Sequence, residues 1–126
     1  MTQSRCNLVS LQDTCYYHLI SRCVRRAFLC GEDKYTKQSY EHRRQWMVDR
    51  IRFLSSVYAI EIAAYAVLSN HYHLVVHVNI DEAKQWTNED VCQRWLQLYN
   101  NHPLVSRWQA GISSSKAEIN SAIDII

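Results

Sequence analysis

The sequence predicts an α+β protein in which a small antiparallel sheet is backed by helices on one face. Three observations carry that prediction. Two apolar runs, residues 60–68 and 74–78, enclose the pair Ser69-Asn70, which reads as a hairpin turn between two strands. Residues 38–58 carry apolar side chains at mostly three- and four-residue intervals, with no Gly or Pro, the period of an amphipathic helix. Residues 15–24 are rich in aromatic and β-prone side chains and read as a strand before that helix.

Taken in order, residues 1–14 form a polar lead-in and residues 15–24 the first strand. Arg22, Arg25 and Arg26 cluster at the strand's end, ahead of a loop containing Gly31. In the first helix Tyr40, Met47, Ile51, Leu54 and Tyr58 form the apolar stripe, widened by Trp46 and Val57, which makes its aromatics core residues. Asp33 or Ser39 is positioned to cap its start. The second and third strands follow on either side of the turn, where Asn70 suits a left-handed backbone. Residues 81–86 read as a polar connection. Thr87, with Glu89 and Asp90 behind it, opens a second helix, which runs to about residue 100 with Val91, Trp95, Leu98 and Tyr99 on its apolar stripe. Residues 104–108 are a short extended or helical piece and the place for a hidden last strand. Ser113 to Ser115 open a final helix with Ile119, Ala122, Ile123 and Ile126 along one side. The order β–α–β–β–α plus a helical tail is most of a split β-α-β, ferredoxin-like layout whose C-terminal part is missing. Residues 1–110 make one domain and residues 111–126 the start of a further helix. The isoleucines that close the chain are expected to be exposed, so that either a partner chain covers them or the natural reading frame continues, the second being favoured.

Composition narrows the function classes. The chain has 126 residues, 48% hydrophobic and 21% charged, which fits a folded domain and argues against disorder. Its net charge of +2 conceals an asymmetry: residues 1–52 hold ten Lys and Arg against five Asp and Glu, and residues 53–126 hold four against seven. The basic half is a candidate polyanion surface. Five cysteines without a C-x-x-C spacing point to neither a disulfide framework nor a zinc knuckle and fit a reducing cytoplasm. No apolar run is long enough to span a membrane.

The chemistry concentrates at His71-Tyr72-His73. Alternate strand residues share a face, so His71, His73, Val75 and His77 point one way and Tyr72, Leu74, Val76 and Val78 the other. One face is apolar without a break and belongs to a core; the other carries three imidazoles. Two imidazoles on one strand face can hold one metal ion, and the ordinary alternative is a row of half-exposed strand histidines. His77 lies further along the same face, within reach of a third ligand's place.

The stretch A-Y-A-V-L-S-N-H-Y-H-L-V-V-H-V resembles the histidine–hydrophobic–histidine (HUH) motif of single-strand tyrosine transposases, in their REP-associated or insertion-sequence-like branch. S-R-C-V-R-R-A-F-L-C-G-E-D (residues 21–33) and S-Y-E-H-R-R-Q-W (residues 39–46) are similar to the same branch, so the likeness covers about residues 17–108. The resemblance implies a transposase that binds single-stranded or hairpin DNA. It cleaves and rejoins the strand through a phosphotyrosine, and it commonly works as a homodimer. It implies Mg²⁺ or Mn²⁺ held by His71 and His73, and DNA phosphates held by Arg22, Arg25 and Arg26. The family's nucleophilic tyrosine follows the motif in a Y-x-x-x-N-P pattern that this chain lacks, so no catalytic residue is recognisable and the nucleophile is expected beyond Ile126. A non-catalytic hairpin-binding module is the alternative, and a relaxase or replication initiator with the same motif a further one.

Overall fold

The structure is a computed structural model and describes residues 3–24 and 28–125. The described chain is α+β, with one three-stranded antiparallel sheet and five α-helices. It divides into two compact units, residues 1–79 and 80–126. No helix among the described residues is long and apolar enough to cross a membrane.

The first unit holds β1 (Tyr16–Arg22), α1 (His42–Val57), β2 (Ile60–Val67) and β3 (His71–Val78), after a 3-10 turn at Arg5–Asn7. The sheet order is β1-β3-β2, so the histidine strand is central and pairs antiparallel with both neighbours. Central placement fits composition: β3 is half-buried along its length with Val76 buried, whereas β1, an edge strand, leaves Leu19 and Ile20 largely exposed. Helix α1 packs on the apolar face. Ile51 joins Cys30 and Val67 in the core, with Met47, Ile62, Tyr72 and Leu74 packed against them. The β2 register slips between Ile62 and Ala64, a bulge that keeps Ile60, Ile62, Tyr65 and Val67 opposite the alternating residues of β3.

Several details depart from the sequence expectations for this unit. Helix α1 starts at His42 with Glu41 in the cap position and no side-chain cap bond, so neither Asp33 nor Ser39 caps it. Arginines hold its first turn instead: Arg43 donates to the Phe28 carbonyl at 3.2 Å, and Arg44 pairs with Glu41 and donates to the Val67 carbonyl. Trp46 is not core. It is 63% exposed and makes a T-shaped ring contact with His42 at 4.8 Å. Asn70 does not use the left-handed region, since Lys37 is the one described non-glycine residue with positive φ. The turn is set from outside: Ser69 accepts from the Leu29 and Cys30 amides at 2.6 and 3.2 Å, and Asn70 accepts from Cys23 at 2.8 Å. The loop between β1 and α1 thereby supplies donors that an isolated two-residue turn lacks.

The second unit is helical: α2 (Ile80–Gln85), α3 (Asn88–Leu96), α4 (Pro103–Gln109) and α5 (Lys116–Ile125). Residues expected as a polar connection form α2, with Asp81 and Glu82 in its first turn and Lys84 in its last, each on the side that the helix dipole favours. Thr87 caps α3 as expected, exchanging hydrogen bonds with Asp90. The helix ends at Leu96, however, so Leu98 and Tyr99 lie beyond it, and Tyr99 is 55% exposed rather than core. The hidden strand of residues 104–108 is helix α4. Pro103 sits at its first position, where a missing amide costs nothing, and His102 accepts from Leu104. Gly111, at φ +70°, closes it, its amide donating to Trp108 while Ile112 donates to Arg107. Ser114 and Ser115 exchange hydrogen bonds with Glu118 at the start of α5. An Arg107–Glu118 ion pair of 2.9 Å ties α4 to α5. Cys92, Val105 and Ala122 are buried among the unit's described residues.

Candidate functional site

The site is the sheet face turned away from α1. Register puts four β1 residues, Tyr16, His18, Ile20 and Arg22, opposite His77, Val75, His73 and His71 of β3. From β2, Ala66 faces His73 and Ala64 faces Val75. Two alanines beside the imidazoles leave the flank of His73 open, and His71 and His73 are only partly buried.

The predicted metal pair is brought together. The His71 and His73 rings lie edge to face, their centroids 5.1 Å apart. Each ring is engaged through Nδ1. For His71 the partner is Asn70 Oδ1 at 2.6 Å, an oxygen that can only accept, so His71 donates there from Nδ1. For His73 the partner is His18 Nε2 at 2.9 Å, the two ring planes within 21° of parallel and meeting edge to edge. Sequence reasoning missed His18. Its signal was faint: one imidazole in the alternation Tyr16, His18, Ile20, Arg22, interpretable only once β1 is paired with β3.

His77 is not part of the group. Its Nδ1 faces Glu61 Oε2 at 3.1 Å and its ring tilts against Tyr16 at 4.7 Å. Arg22 does sit at the site, across from His71 at the strand end nearest the turn, exposed and with no side-chain ion pair or hydrogen bond among the described residues. Arg25 and Arg26 lie outside the described residues. Of the basic residues in the 39–46 stretch, Arg43 and Arg44 are consumed in anchoring α1.

The donor set can be tested against the implied cation. No group of three His, Cys, Asp or Glu side chains among the described residues is placed to hold an ion. The pair alone would offer a cation at most two imidazole nitrogens. Two imidazoles suit Mn²⁺ better than Mg²⁺, which favours an all-oxygen shell.

Below the face, Cys30 is fully buried and donates to the Leu68 carbonyl at 3.2 Å. Burial pushes its thiol above the ordinary range, and does the same to Cys92. Both are structural thiols. No protein-family model, curated protein or solved structure matches the chain.

Proposed function

We propose that this chain is a DNA-acting module of the single-strand tyrosine transposase type, binding single-stranded or hairpin DNA with the histidine face of its sheet. The observation that carries the reading is the side-by-side pair His71 and His73, each engaged through Nδ1, with the Arg22 guanidinium at the same strand end. The order β1-β3-β2 with α1 between β1 and β2 is compatible with a ferredoxin-like split β-α-β arrangement and supports the same reading.

In this proposal Arg22, with Arg25 and Arg26, grips backbone phosphates, for which the guanidinium fork is well matched. His71 and His73 present neutral nitrogens to Mn²⁺ or Mg²⁺. When bound, the cation neutralises charge on the scissile phosphate and orients it for in-line attack by a tyrosine hydroxyl. Single strands are required because the phosphate must approach the flat face free of its complement. A homodimer working in a reducing cytoplasm completes the reading.

A second reading has its own support. Tyr16 lies on the histidine face, and its ring tilts against His77 at the strand end opposite His71. A hairpin-binding module without strand transfer fits that arrangement. The two readings separate in a gel assay with labelled hairpin oligonucleotide and Mn²⁺. Covalent protein–DNA product supports the transposase, and binding without product supports the module. Absence of binding removes both.

A further inference from the structure

We infer that the loop of residues 33–38 is a contact for unpaired DNA, in which the Tyr35 ring stacks on a base and Lys34 and Lys37 meet the neighbouring phosphates. The inference rests on the DNA reading above and deepens it, because it names the part of the DNA that this loop takes. Tyr35 is 97% exposed, so its ring stands in water at the loop tip. Lys34 and Lys37 flank it, both exposed and with no side-chain ion pair or hydrogen bond among the described residues. The acid beside them is already engaged. Asp33 accepts from the Tyr35 amide through Oδ1 and from the Thr36 hydroxyl through Oδ2, both at 2.9 Å. Glu32 lies below the tip, in the backbone bridge to Ser39.

The loop is formed before any ligand arrives. The Asp33 amide donates to the Gln38 carbonyl at 2.9 Å, and the Lys37 amide donates to the Asp33 carbonyl at 2.8 Å. Lys37 holds φ +60°, a left-handed backbone uncommon for a long side chain. The Tyr40 amide closes the stem on the Gly31 carbonyl at 2.7 Å. A ring carried on a fixed backbone loses little freedom when it meets a ligand. A π face between two cations matches a single strand, whose bases stack and whose phosphates are charged. Position favours the same partner. The amides of Leu29 and Cys30 donate to the Ser69 carbonyl, and Gly31 lies against the Ser69 side chain. The stem is thereby fixed to the turn that precedes His71, at the sheet end that also carries Arg22. The unpaired flank of a hairpin held at that end is what Tyr35 takes.

The test uses the whole chain and a fluorescently labelled DNA hairpin, either blunt or carrying unpaired thymidine extensions at both ends. Anisotropy should show tighter binding of the extended hairpin by the wild type. Tyr35→Ala and Tyr35→Leu should each weaken binding of the extended hairpin by roughly 5- to 100-fold and leave the blunt one unchanged. Tyr35→Trp keeps a π face and should retain the preference. Thermal melting of all three variants should match the wild type, because the ring is exposed. A Lys34→Ala, Lys37→Asn variant, whose Asn tolerates the left-handed position, should lower the slope of log affinity against log salt by about 1.4 on the extended hairpin. Equal affinity of wild type and Tyr35→Ala for the extended hairpin overturns the inference. So does an equal loss on both hairpins, which makes Tyr35 a contact of the duplex stem. Absence of hairpin binding by the wild type overturns the DNA reading itself.

Discussion

At the scale of single residues, the histidine face shows how one strand can serve two environments. Tyr72, Leu74 and Val76 face the core while His71, His73 and His77 face outward, and strand alternation alone separates them. That much was readable from H-Y-H-L-V-V-H, because alternation is a local property. The differing fates of the histidines were not readable. His77 goes to Glu61, His73 to His18 and His71 to Asn70, and two of these three partners come from neighbouring strands. The cysteines give a residue-scale prediction. Cys30 and Cys92 are fully buried with thiols pushed up by burial, whereas Cys6 is exposed. Thiol labelling of the native protein should modify Cys6 readily and leave Cys30 and Cys92 untouched until denaturant is added. Rapid labelling of Cys30 in the native protein would contradict the packing described for the turn.

At the scale of elements, the histidine hairpin is held from behind. Ile51 fills the space between α1 and the sheet, with Cys30 and Val67 beside it. Ile51→Ala should cost roughly 2–5 kcal/mol of unfolding free energy by removing buried methyl groups and leaving a cavity, measured by urea denaturation. In the helical unit the caps carry a pH dependence. The Thr87 backbone amide holds the Asp90 carboxyl below its ordinary value of 3.8, and the Ser114 amide holds Glu118 below 4.5. A carboxylate with a lowered folded value stabilises the fold above its ordinary value and loses that contribution as pH falls through the lowered one. Helical circular dichroism should therefore decline as pH drops below about 4, and an Asp90→Asn, Glu118→Gln double variant should flatten that decline. An identical acid profile in the variant would remove the caps as its cause. These caps were partly legible: Thr87 with Asp90 three residues on is a sequence signature, and the structure contains it. Helix α4 was not legible as such. A Pro–apolar–apolar start suits extended chain equally well, and the deciding features are the His102 cap and the Gly111 closure. Trp46 and Tyr99 were misassigned for a related reason. Helical spacing identifies a stripe but not its edges, and both side chains fall outside the buried part.

At the scale of the whole molecule, the basic character of residues 1–52 is spent in two ways. Arg43 and Arg44 anchor α1 to backbone carbonyls, while Arg22 stands exposed beside the imidazole pair. Charge counting alone cannot separate those roles, because an arginine that builds the fold and one that meets a ligand contribute equally to the sum. The proposal assigns them different behaviour in salt. Arg22→Ala should weaken hairpin-DNA binding and lower the slope of log affinity against log salt by about 1, whereas Arg44→Ala should act through thermal stability. An unchanged slope for Arg22→Ala would take that residue off the DNA surface. The central claim joins the cation to the DNA at His71 and His73. It is tested most directly by fluorescence anisotropy of a labelled hairpin oligonucleotide, titrated with the wild-type chain and with the His71→Ala, His73→Ala variant, each with and without Mn²⁺. The account predicts that Mn²⁺ tightens binding by the wild type and has no effect on the variant, which still binds weakly through its arginines. Equal response of the two proteins to Mn²⁺, or no hairpin binding by either, would contradict it.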